Sequence, residues 1–464
     1  MSVLEHLQFA RKLSHVQRVS LWPASRIQRL QEQRFRRLLA HTVARSPFYR
    51  ARYGKIDVAR IPLNQLPSVR KEELQEHLDA VFSDRRLRRG DLERYIADEK
   101  NLGRLYLGEF VVGYTSGTQG TPLLLVHDRS CFRLITALMA TRSSSDGAHS
   151  LLDATRLMIN PRRVATIALR RGFYPSGMVL EFMPRMLAPF ARVSFLSSMD
   201  PELVERLNEL QPHIITGYAS VLGALALQAP RLRLSNLECI RNSSEQLSPA
   251  AKTRIESAFG VKVFDHYGTG ECLHLADTCR DCSNLHVNAD WAILEAVDDD
   301  CRPVPAGTVG AKVLVTNLAN WIQPFIRYEV GDRVALSADG CRASHLPRIE
   351  RMEGRSAEVF WVGDGDRDRF VSWALFQDAV DAAGVLLEWR AIQRQRNSVE
   401  LQVQFLPGTR GHEEQIAAEL SARVFEYGLP TSVALSVTIV DEVAPDPRTG
   451  KIRHMISVVG LRPS

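Results

Sequence analysis

Long apolar runs are missing from this 464-residue chain. No stretch approaches the roughly 18 apolar residues that a membrane-spanning helix requires. The charged residues Glu5, Arg11 and Lys12 interrupt the beginning of the chain before the apolar core of a signal peptide could form. These absences argue against a membrane partner and against secretion, and we predict a cytoplasmic protein.

Cysteine is scarce, and the charge is nearly balanced. Seven cysteines form an odd and small set, which excludes a disulfide-dense framework. The net charge of +6 is small for this length, so anionic small molecules are better expected partners than nucleic acid. Apolar residues make up 45% and charged residues 24%, which excludes disorder. At about 150 residues per domain, the chain can form two or three folded units.

The hydrophobic pattern predicts an α/β protein. Ser25–Gln28 has the form of a capping box and opens an amphipathic helix that ends at Ser46-Pro47, with solvated arginines on its other face. From about residue 105 to 340, β-rich runs alternate with helical windows, as in an α/β fold. The β-rich runs include Lys262–Phe264 and Lys312–Thr316, and the helical windows include Pro201–Leu210 and Ser220–Gln228.

A smaller α+β unit is predicted at the carboxyl end. It follows a densely charged stretch at Leu346–Ser356. Its predicted elements are a helix at Trp373–Ala383, a strand at Val399–Phe405, a helix at His412–Tyr427 and a strand at Val433–Val440.

Five short motifs carry chemistry. Tyr114–Pro122 concentrates hydroxyls and glycines, so that its backbone N–H groups can approach a polyphosphate closely. Phe264–Glu271 offers an aromatic face, a glycine turn and a carboxylate. Phe325–Asp332 ends in a carboxylate that can accept from both hydroxyls of a ribose. Glu353–Arg355 and Asp446–Lys451 follow, and each motif alone is weak evidence.

The order of these motifs resembles that of the adenylate-forming superfamily, which includes acyl-CoA synthetases, luciferases and the adenylation domains of peptide synthetases. Within it, the chain is most similar to the phenylacetate-CoA ligase branch. The segments that resemble this branch are Leu38–Tyr49, Gln211–Tyr218, Leu285–Val287 and Pro324–Tyr328. The resemblance implies a large multi-subdomain amino-terminal adenylation domain, residues 1–352, and a small mobile α+β carboxy-terminal domain, residues 353–464.

The resemblance also implies roles for individual residues. Thr115, Ser116, Gly117, Thr118 and Gly120 would cradle the phosphates of ATP; Ser244, Glu245, Tyr267 and Gly268 would line the adenine; Asp332 and Arg355 would hold the ribose; Tyr218 and Ser220 would bind the acid. Glu271 would bind magnesium, and Lys451 would be the mobile catalytic cation. Lysine suits this task, because an ammonium that meets the developing charge only in the transition state lowers the barrier.

The sequence departs from the family pattern in three places. Gln119 stands where a second threonine is common, and no lysine follows Pro122. The carboxylate that often follows the Gly-Arg pair is shifted to Glu358, which leaves the hinge residue open. The adenine-side element Asn242–Glu245 is not glycine-rich, so the detail of that pocket is open as well.

A cysteine cluster predicts a structural zinc site. Cys279, Cys282 and His286 have spacings that allow tetrahedral zinc, and Cys272 precedes them. The resemblance implies that Cys341 completes the set, with Cys272 or His274 as alternatives for the fourth ligand. The reading without metal, in which these cysteines are simply reduced thiols, is also open. Four protein ligands would make the site structural.

The remaining cysteines fit no ligand pattern. Cys131, Cys239 and Cys301 are expected to be small core residues. The chain has neither the Gly-x-Ser-x-Gly of serine hydrolases nor the His-Glu-x-x-His of zinc proteases. A zinc-finger reading of the cysteines and arginines would leave Tyr114, Tyr267, Asp332 and Lys451 unexplained.

These observations predict an ATP-dependent carboxylate-CoA ligase for an aromatic acid, acting through an acyl-adenylate in aromatic acid metabolism or natural product biosynthesis. Its expected partners are ATP, magnesium, the acid and coenzyme A, with structural zinc. Two alternatives stay open: transfer of the acyl group or of AMP to an amine or hydroxyl, and a non-catalytic nucleotide-binding relative. The oligomeric state is open between monomer and homodimer.

Overall fold

The computed structural model describes most of the chain. It describes residues 3–115, 122–142, 159–168, 172–188, 190–279, 281–337, 339–355, 359–364, 367–409, 411–447 and 450–459. Among these residues, no helix is both long and apolar enough to cross a membrane.

Helices dominate the first part of the chain. They are α1 (Val3–Val19), α2 (Ala24–Arg45), α3 (Pro47–Tyr53), α4 (Lys71–Glu76), α5 (Leu78–Val81), α6 (Arg89–Ala97) and α7 (Arg129–Thr141). The predicted amphipathic helix is α2, which buries Ile27, Phe35, Leu38 and Leu39. The predicted capping box is wrong. Pro23 is the N-cap, and its carbonyl accepts from the N–H groups of Arg26 and Ile27, so α2 begins ahead of Ser25.

The predicted solvation of the α2 arginines is wrong for Arg34. Its guanidinium lies 3.4 Å from the centre of the Trp291 ring and 3.6 Å from Oδ2 of Asp290. Burial lowers the pKa of Arg34 to about 10, and the Asp290 carboxylate opposes that shift. Asp290 is fully buried and also pairs with Arg142 at 2.6 Å, because an unpaired buried carboxylate would be costly. The Asp290 carboxylate, which is distant in the sequence, therefore keeps the Arg34 guanidinium out of solvent.

The described part of the chain contains a nine-stranded sheet. Its strands are β3 (Arg162–Ala168), β4 (Ala191–Ser197), β5 (Ile214–Gly217), β6 (Cys239–Ser243), β7 (Lys262–Tyr267), β8 (Ala276–Thr278), β9 (Leu285–Val287), β13 (Asp332–Ser337) and β14 (Arg348–Arg355). Their order across the sheet is β13-β14-β9-β8-β7-β6-β5-β3-β4. Strands β3 to β7 pair in parallel, and the others are antiparallel.

Helices alternate with the parallel strands, as the sequence predicts. They are α8 (Pro175–Leu187), α9 (Leu203–Leu210), α10 (Ala219–Leu227) and α11 (Pro249–Phe259). Both predicted helical windows are confirmed as α9 and α10. Gly217 pairs with Asn242, and Ser243 pairs with His266, so the carboxyl ends of β5, β6 and β7 meet at one edge. This edge is where ligands bind in open α/β sheets.

Two smaller sheets bring further segments to that edge. Strands β1 (Phe110–Tyr114) and β2 (Leu124–Asp128) form an antiparallel hairpin. A second sheet contains β10 (Ala292–Val297), β11 (Lys312–Asn317) and β12 (Tyr328–Val330), in that order. The predicted strand at Lys312–Thr316 is thus confirmed as β11.

The carboxyl end forms a small α+β unit with its own core. Its elements are β15 (Val359–Asp364), β16 (Arg367–Ser372), α12 (Trp373–Ala383), β17 (Leu386–Gln395), β18 (Ser398–Phe405), α13 (Glu413–Glu426), β19 (Ala434–Ile439) and β20 (Met455–Ser457). Phe376, Trp389, Leu401 and Val424 belong to a hydrophobic cluster of this unit alone. The four elements predicted here are confirmed within one or two residues. The domain boundary after residue 352 stays a prediction.

Candidate active site

The predicted phosphate loop connects β1 to β2. At its start, the N–H of Thr115 donates to the carbonyl of Leu123 at 2.9 Å, and Oγ1 of Thr115 accepts from the N–H of Leu123 at 2.9 Å. These bonds pin both ends of the connection. Of the residues predicted to cradle phosphates, Thr115 is described, and Ser116, Gly117, Thr118 and Gly120 lie outside the described residues.

The turn after β7 packs directly against Thr115. A Cβ at Gly270 would lie 2.9 Å from Cγ2 of Thr115, so a side chain at that position would force the two segments apart. A Cβ at Gly268 would lie 2.5 Å from the carbonyl oxygen of Leu273, which closes the same turn. The two glycines therefore allow the loop that carries Glu271 to lie against the phosphate-loop hairpin.

Tyr267 and Asp332 meet at this edge, 65 residues apart in the chain. The hydroxyl of Tyr267 donates to Oδ2 of Asp332 at 2.6 Å. Asp332 is 5% exposed and begins β13, where it pairs with Arg355 of β14. The backbone thus brings together the three predicted nucleotide residues; the side chain of Arg355 lies outside what the structure describes.

Glu271 is buried beside Tyr328, to which the sequence motifs assign no role. The hydroxyl of Tyr328 donates to Oε1 of Glu271 at 2.8 Å, and the amide of Asn317 donates to the carbonyl of Glu271 at 2.8 Å. Burial and the neighbouring carboxylate raise the pKa of Tyr328, which stays a hydrogen-bond donor. The sequence feature that could have pointed to Tyr328 is its position at the end of the Pro324–Tyr328 motif.

His266 fastens the same loop from the other side. Its Nδ1 lies 3.1 Å from Oδ1 of Asp277, and its Nε2 lies 3.0 Å from the carbonyl oxygen of Leu273. Both ring nitrogens face acceptors, and a ring that is protonated on both nitrogens can donate to both. Burial opposes the charge, but the hydrogen bond and charge of Asp277 raise the pKa of His266.

Glu245 makes different contacts from those expected of an adenine-lining residue. Its Oε2 accepts from the N–H of Ser220 in the first turn of α10 at 2.9 Å, and its Oε1 accepts from the N–H of Ile452 at 3.0 Å. Burial raises the pKa of Glu245, and the hydrogen bonds from Ser220 oppose that shift. Ser244, beside it, is exposed and has a left-handed backbone with φ of 69°.

Lys451 and Tyr218 lie close together in the fold although they are far apart in the sequence. The Nζ of Lys451 lies 5.5 Å from the centre of the Tyr218 ring, within range of a cation–π contact. Tyr218 is 3% exposed and caps α10 at the carboxyl end of β5, and burial raises its pKa. The predicted catalytic cation therefore lies beside Tyr218, one of the two predicted acid-binding residues.

The predicted zinc ligands form one cluster. The donor atoms of Cys279, Cys282, His286 and Cys341 all lie within 4.8 Å of one another. Sγ of Cys279 lies 3.6 Å from Sγ of Cys341, and Sγ of Cys282 lies 3.2 Å from Nε2 of His286. A tetrahedron with Zn–S bonds of about 2.3 Å places its sulfurs roughly 3.7 Å apart. The donor set and spacing fit zinc.

The surroundings of the cluster suit a metal as well. Nδ1 of His286 lies 2.9 Å from the carbonyl oxygen of Leu346, which leaves Nε2 to face the cysteines. Although burial opposes it, the backbone N–H groups of Ala343 and Ser344 lower the pKa of the Cys341 thiol. A lower pKa favours the thiolate, the form that binds metal, at Cys341, whereas burial raises the pKa of the Cys279 thiol to about 11.

The two alternative ligands lie elsewhere. Cys272 is 5% exposed in the main hydrophobic core. Nε2 of His274 lies 2.7 Å from Oδ2 of Asp277, and burial lowers the pKa of His274 to about 4. Between the choices that the sequence left open, the geometry favours Cys341.

The remaining cysteines follow the core prediction with one exception. Cys131 and Cys239 are buried. Cys301 is only partly buried, has φ of 63°, and its Sγ lies 3.6 Å from Oε1 of Glu329. The core prediction for Cys301 is wrong, because this residue forms the turn after β10 and not part of a packed strand.

The chain is similar in sequence to a known CoA ligase. No family model matches this chain. Phenylacetate-coenzyme A ligase of Thermus thermophilus is 23% identical over 356 residues, which cover 73% of this chain and 73% of that protein.

Solved structures share the fold. A 2-hydroxyisobutyryl-CoA ligase, in complex with 2-HIB-AMP in its postadenylation state, has a TM-score of 0.73 at 20% identity and covers 96% of this chain and 92% of its own. The amide bond synthetase McbA from Marinactinospora thermotolerans has a TM-score of 0.53 at 16% identity, over 73% of this chain and 67% of its own. Sequence similarity to a phenylacetate-coenzyme A ligase, together with the shared fold, confirms the predicted resemblance to the adenylate-forming superfamily and to its phenylacetate-CoA ligase-like branch.

Proposed function

We propose that this chain is an ATP-dependent carboxylate-CoA ligase. A carboxylate oxygen of the acid attacks the α-phosphorus of ATP, which forms an acyl-adenylate and releases pyrophosphate. The sulfur of coenzyme A then loses its proton and attacks the acyl carbon, which forms a thioester and releases AMP. The observation that carries the proposal is the position of Lys451, 5.5 Å from the ring of Tyr218 at the edge where Tyr267 and Asp332 meet.

ATP would lie across the carboxyl ends of β5 to β7. Thr115, with Ser116, Gly117, Thr118 and Gly120, would hold the phosphates through N–H and hydroxyl groups. Tyr267, Gly268 and the backbone at Ser244 and Glu245 would line the adenine. Asp332 and Arg355 would hold the ribose, and the hydrogen bond from Tyr267 to Asp332 orients that carboxylate in advance.

Magnesium would be held by Glu271. Carboxylate oxygen is the donor that magnesium prefers, and Oε1 is already oriented by Tyr328. Within the described part of the chain, Oε2 of Glu271 makes no hydrogen bond, which leaves an oxygen donor for the ion. When bound, magnesium would neutralise phosphate charge.

Lys451 would act in the first half-reaction only. Negative charge builds on the oxygens around the α-phosphorus as the carboxylate attacks, and the ammonium stabilises that charge. A long thiol cofactor needs access to the same centre afterwards. We therefore propose that residues 353–464 rotate as a mobile domain between the steps, about a hinge near Glu353–Glu358.

The acid would bind beside Tyr218 and Ser220, and we propose an aromatic acid. The support is the similarity to a phenylacetate-coenzyme A ligase. A buried tyrosine ring also offers an apolar wall for an aryl group. We propose that the enzyme acts in the cytoplasm, in aromatic acid metabolism or natural product biosynthesis. The oligomeric state stays open between monomer and homodimer.

We propose structural zinc at Cys279, Cys282, His286 and Cys341. The support is the donor spacing described above. With four protein ligands, no position is left for a substrate, and the ion would act on folding and not on the reaction.

A second candidate function keeps the first half-reaction and changes the acceptor. The similarity in fold to an amide bond synthetase favours an amine, and a hydroxyl or the transfer of AMP itself are variants of the same idea. The retained Glu271, Asp332 and Lys451 argue against a non-catalytic nucleotide-binding protein.

The test is an acid-dependent exchange of labelled pyrophosphate into ATP. We expect one or more acids in a panel of phenylacetate, benzoate, anthranilate and 2-hydroxyisobutyrate to support exchange. Release of AMP should then accelerate when coenzyme A is added. An accelerating amine with no effect of coenzyme A would favour the second candidate, and no exchange with any aryl or alkyl acid would count against adenylation altogether.

Asp332→Ala is expected to raise KM for ATP by roughly 10-fold or more, the scale of one charge-assisted hydrogen bond. A ribose contact acts in the ground state and in the transition state alike, so the loss appears in KM. Tyr267→Phe is the matched variant, because it keeps the ring and removes only the hydroxyl that orients Asp332. A normal KM with the loss confined to kcat would contradict the ribose role.

A further inference from the structure

The loop that carries Lys451 is held by a fixed carboxylate. The N–H of Ile452, the residue directly after the lysine, donates to Oε1 of Glu245 at 3.0 Å. This bond joins the small carboxy-terminal unit to the loop after β6, 207 residues earlier in the chain. The bond is present in this structure, in which Nζ of Lys451 lies 5.5 Å from the centre of the Tyr218 ring.

Glu245 is itself anchored at two points. Its Oε2 accepts from the N–H of Ser220 in the first turn of α10, where the helix dipole favours negative charge. Its backbone carbonyl accepts from the amide of Asn242 at 2.7 Å, and the same amide donates to Oδ1 of Asp265 at 2.7 Å. Asn242 is fully buried. The carboxylate therefore has a defined position before the Lys451 loop arrives.

Two other hydrogen bonds between the two parts of the chain lie away from the lysine. Oγ of Ser248 donates to Oδ1 of Asp381 at 3.1 Å, and the guanidinium of Arg254 lies 3.3 Å from the carbonyl oxygen of Leu386. These contacts involve α12 and β17, whereas the Glu245 contact involves the peptide that follows Lys451. Glu245 is thus placed to act on the position of the ammonium itself.

We propose that Glu245 is a positioning residue that latches the Lys451 loop into the arrangement for acyl-adenylate formation and releases it for thioester formation. Its role rests on the proposed function, since it selects between the two half-reactions. Because the hydrogen bond exists in one arrangement and is lost in the other, it favours the first half-reaction specifically. The backbone at Glu245, which is proposed to line the adenine, is unchanged by substitution of the side chain; an adenine contact of the Glu245 carboxylate would instead affect the binding of ATP.

The first test separates the half-reactions, with the panel acid that gives the fastest exchange. Glu245→Gln keeps one acceptor oxygen, and Glu245→Ala removes both. Acyl-adenylate formation should slow by about 10-fold in Glu245→Gln and by up to about 100-fold in Glu245→Ala, the scale of losing hydrogen bonds to a charged group. Thioester formation from preformed acyl-adenylate and coenzyme A should change less than about twofold, as should the Kd for ATP. Equal losses in both half-reactions, or weakened ATP binding alone, would overturn the proposal.

The second test needs neither an acid nor coenzyme A. Trypsin cleaves after Lys451, at the peptide bond whose N–H Glu245 holds, so the rate of this cut reports how long the loop is docked. We expect faster cleavage at this bond in both Glu245 variants, measured by mass spectrometry on the full chain with magnesium-ATP alone. Gln246→Ala is the matched control, because the Gln246 amide donates to the carbonyl of Met352 and not to the Lys451 loop.

The outcomes keep the two proposals apart. Unchanged cleavage in the Glu245 variants, or the same acceleration in Gln246→Ala, would overturn the latch whatever the enzyme's activity. A wild-type chain that exchanges no pyrophosphate with any acid, while cleavage still follows Glu245, would refute the proposed function and leave the docking contact standing.

Discussion

Lys451→Ala is expected to slow acyl-adenylate formation by roughly 10²–10³-fold, the scale for removing one transition-state electrostatic contact. The Kd for ATP should stay nearly unchanged. The reason is that charge on the α-phosphate oxygens grows as the carboxylate attacks, so the ammonium contributes most at the transition state. Single-turnover formation of the acyl-adenylate, with ATP binding measured separately, checks both parts.

A matched control removes a lysine charge elsewhere. Lys262 is exposed at the amino end of β7, at the opposite end of the strand from Tyr267. Lys262→Ala should leave adenylation at the wild-type rate, which would show that net charge alone is not responsible. Thioester formation from preformed acyl-adenylate should also survive Lys451→Ala. Equal adenylation rates in Lys451→Ala and the wild type would refute the proposed role of the lysine.

Removing zinc is expected to have the largest effect on stability. The purified protein should hold about one equivalent, and a chelator should lower the melting temperature strongly, because structural zinc supplies on the order of 10 kcal/mol directly to folding. Cys282→Ser should lose the metal and show the same loss of stability. Elemental analysis and thermal unfolding measure the two effects.

The position of the cysteine cluster explains why loss of zinc should also impair activity. Cys279 and Cys282 lie between β8 and β9, and Cys341 lies between β13 and β14. Strand β8 pairs with β7 at Tyr267, and β13 begins at Asp332. The metal would therefore tie together the two hairpins that support the nucleotide residues. Its loss should raise KM for ATP, whereas Lys451→Ala should lower kcat alone.

Cysteine variants supply the controls. Cys301→Ser removes a partly buried thiol outside the cluster and should keep both the metal and the melting temperature. A zinc-free protein with full activity, or Cys282→Ser with normal metal content, would contradict the site. Metal retained in Cys341→Ser would favour Cys272 or His274 as fourth ligand, against the distances seen here.

The local elements and the chemistry of the motifs could be predicted from the sequence. The α12 helix and the strands β7, β11 and β18 follow from periodicity within short windows, since side-chain alternation and helical spacing are local properties. The spacing of Cys279, Cys282 and His286 within one hairpin is local as well. The order of the motifs predicted the resemblance to the adenylate-forming superfamily without knowledge of any contact.

Which distant groups meet depends on the tertiary fold. The pairing of Tyr328 with Glu271, of Tyr267 with Asp332, and of Cys341 with Cys279 depends on strand order in the sheets. Three predictions from the sequence were wrong. Arg34 is not solvated, because it pairs with the distant Asp290. Ser25 does not cap α2, because the helix begins after Pro23, and Cys301 is not a core residue, because it lies in a turn.

Glu245 shows the same limit most clearly. Its place in the adenine-side motif gave no sign of the N–H groups of Ser220 and Ile452, which reach it from α10 and from the far end of the chain. A carboxylate is bound by whichever donors the fold brings to it. Sequence spacing carries no information on such donors, because the contact depends on the docking of two separately packed cores.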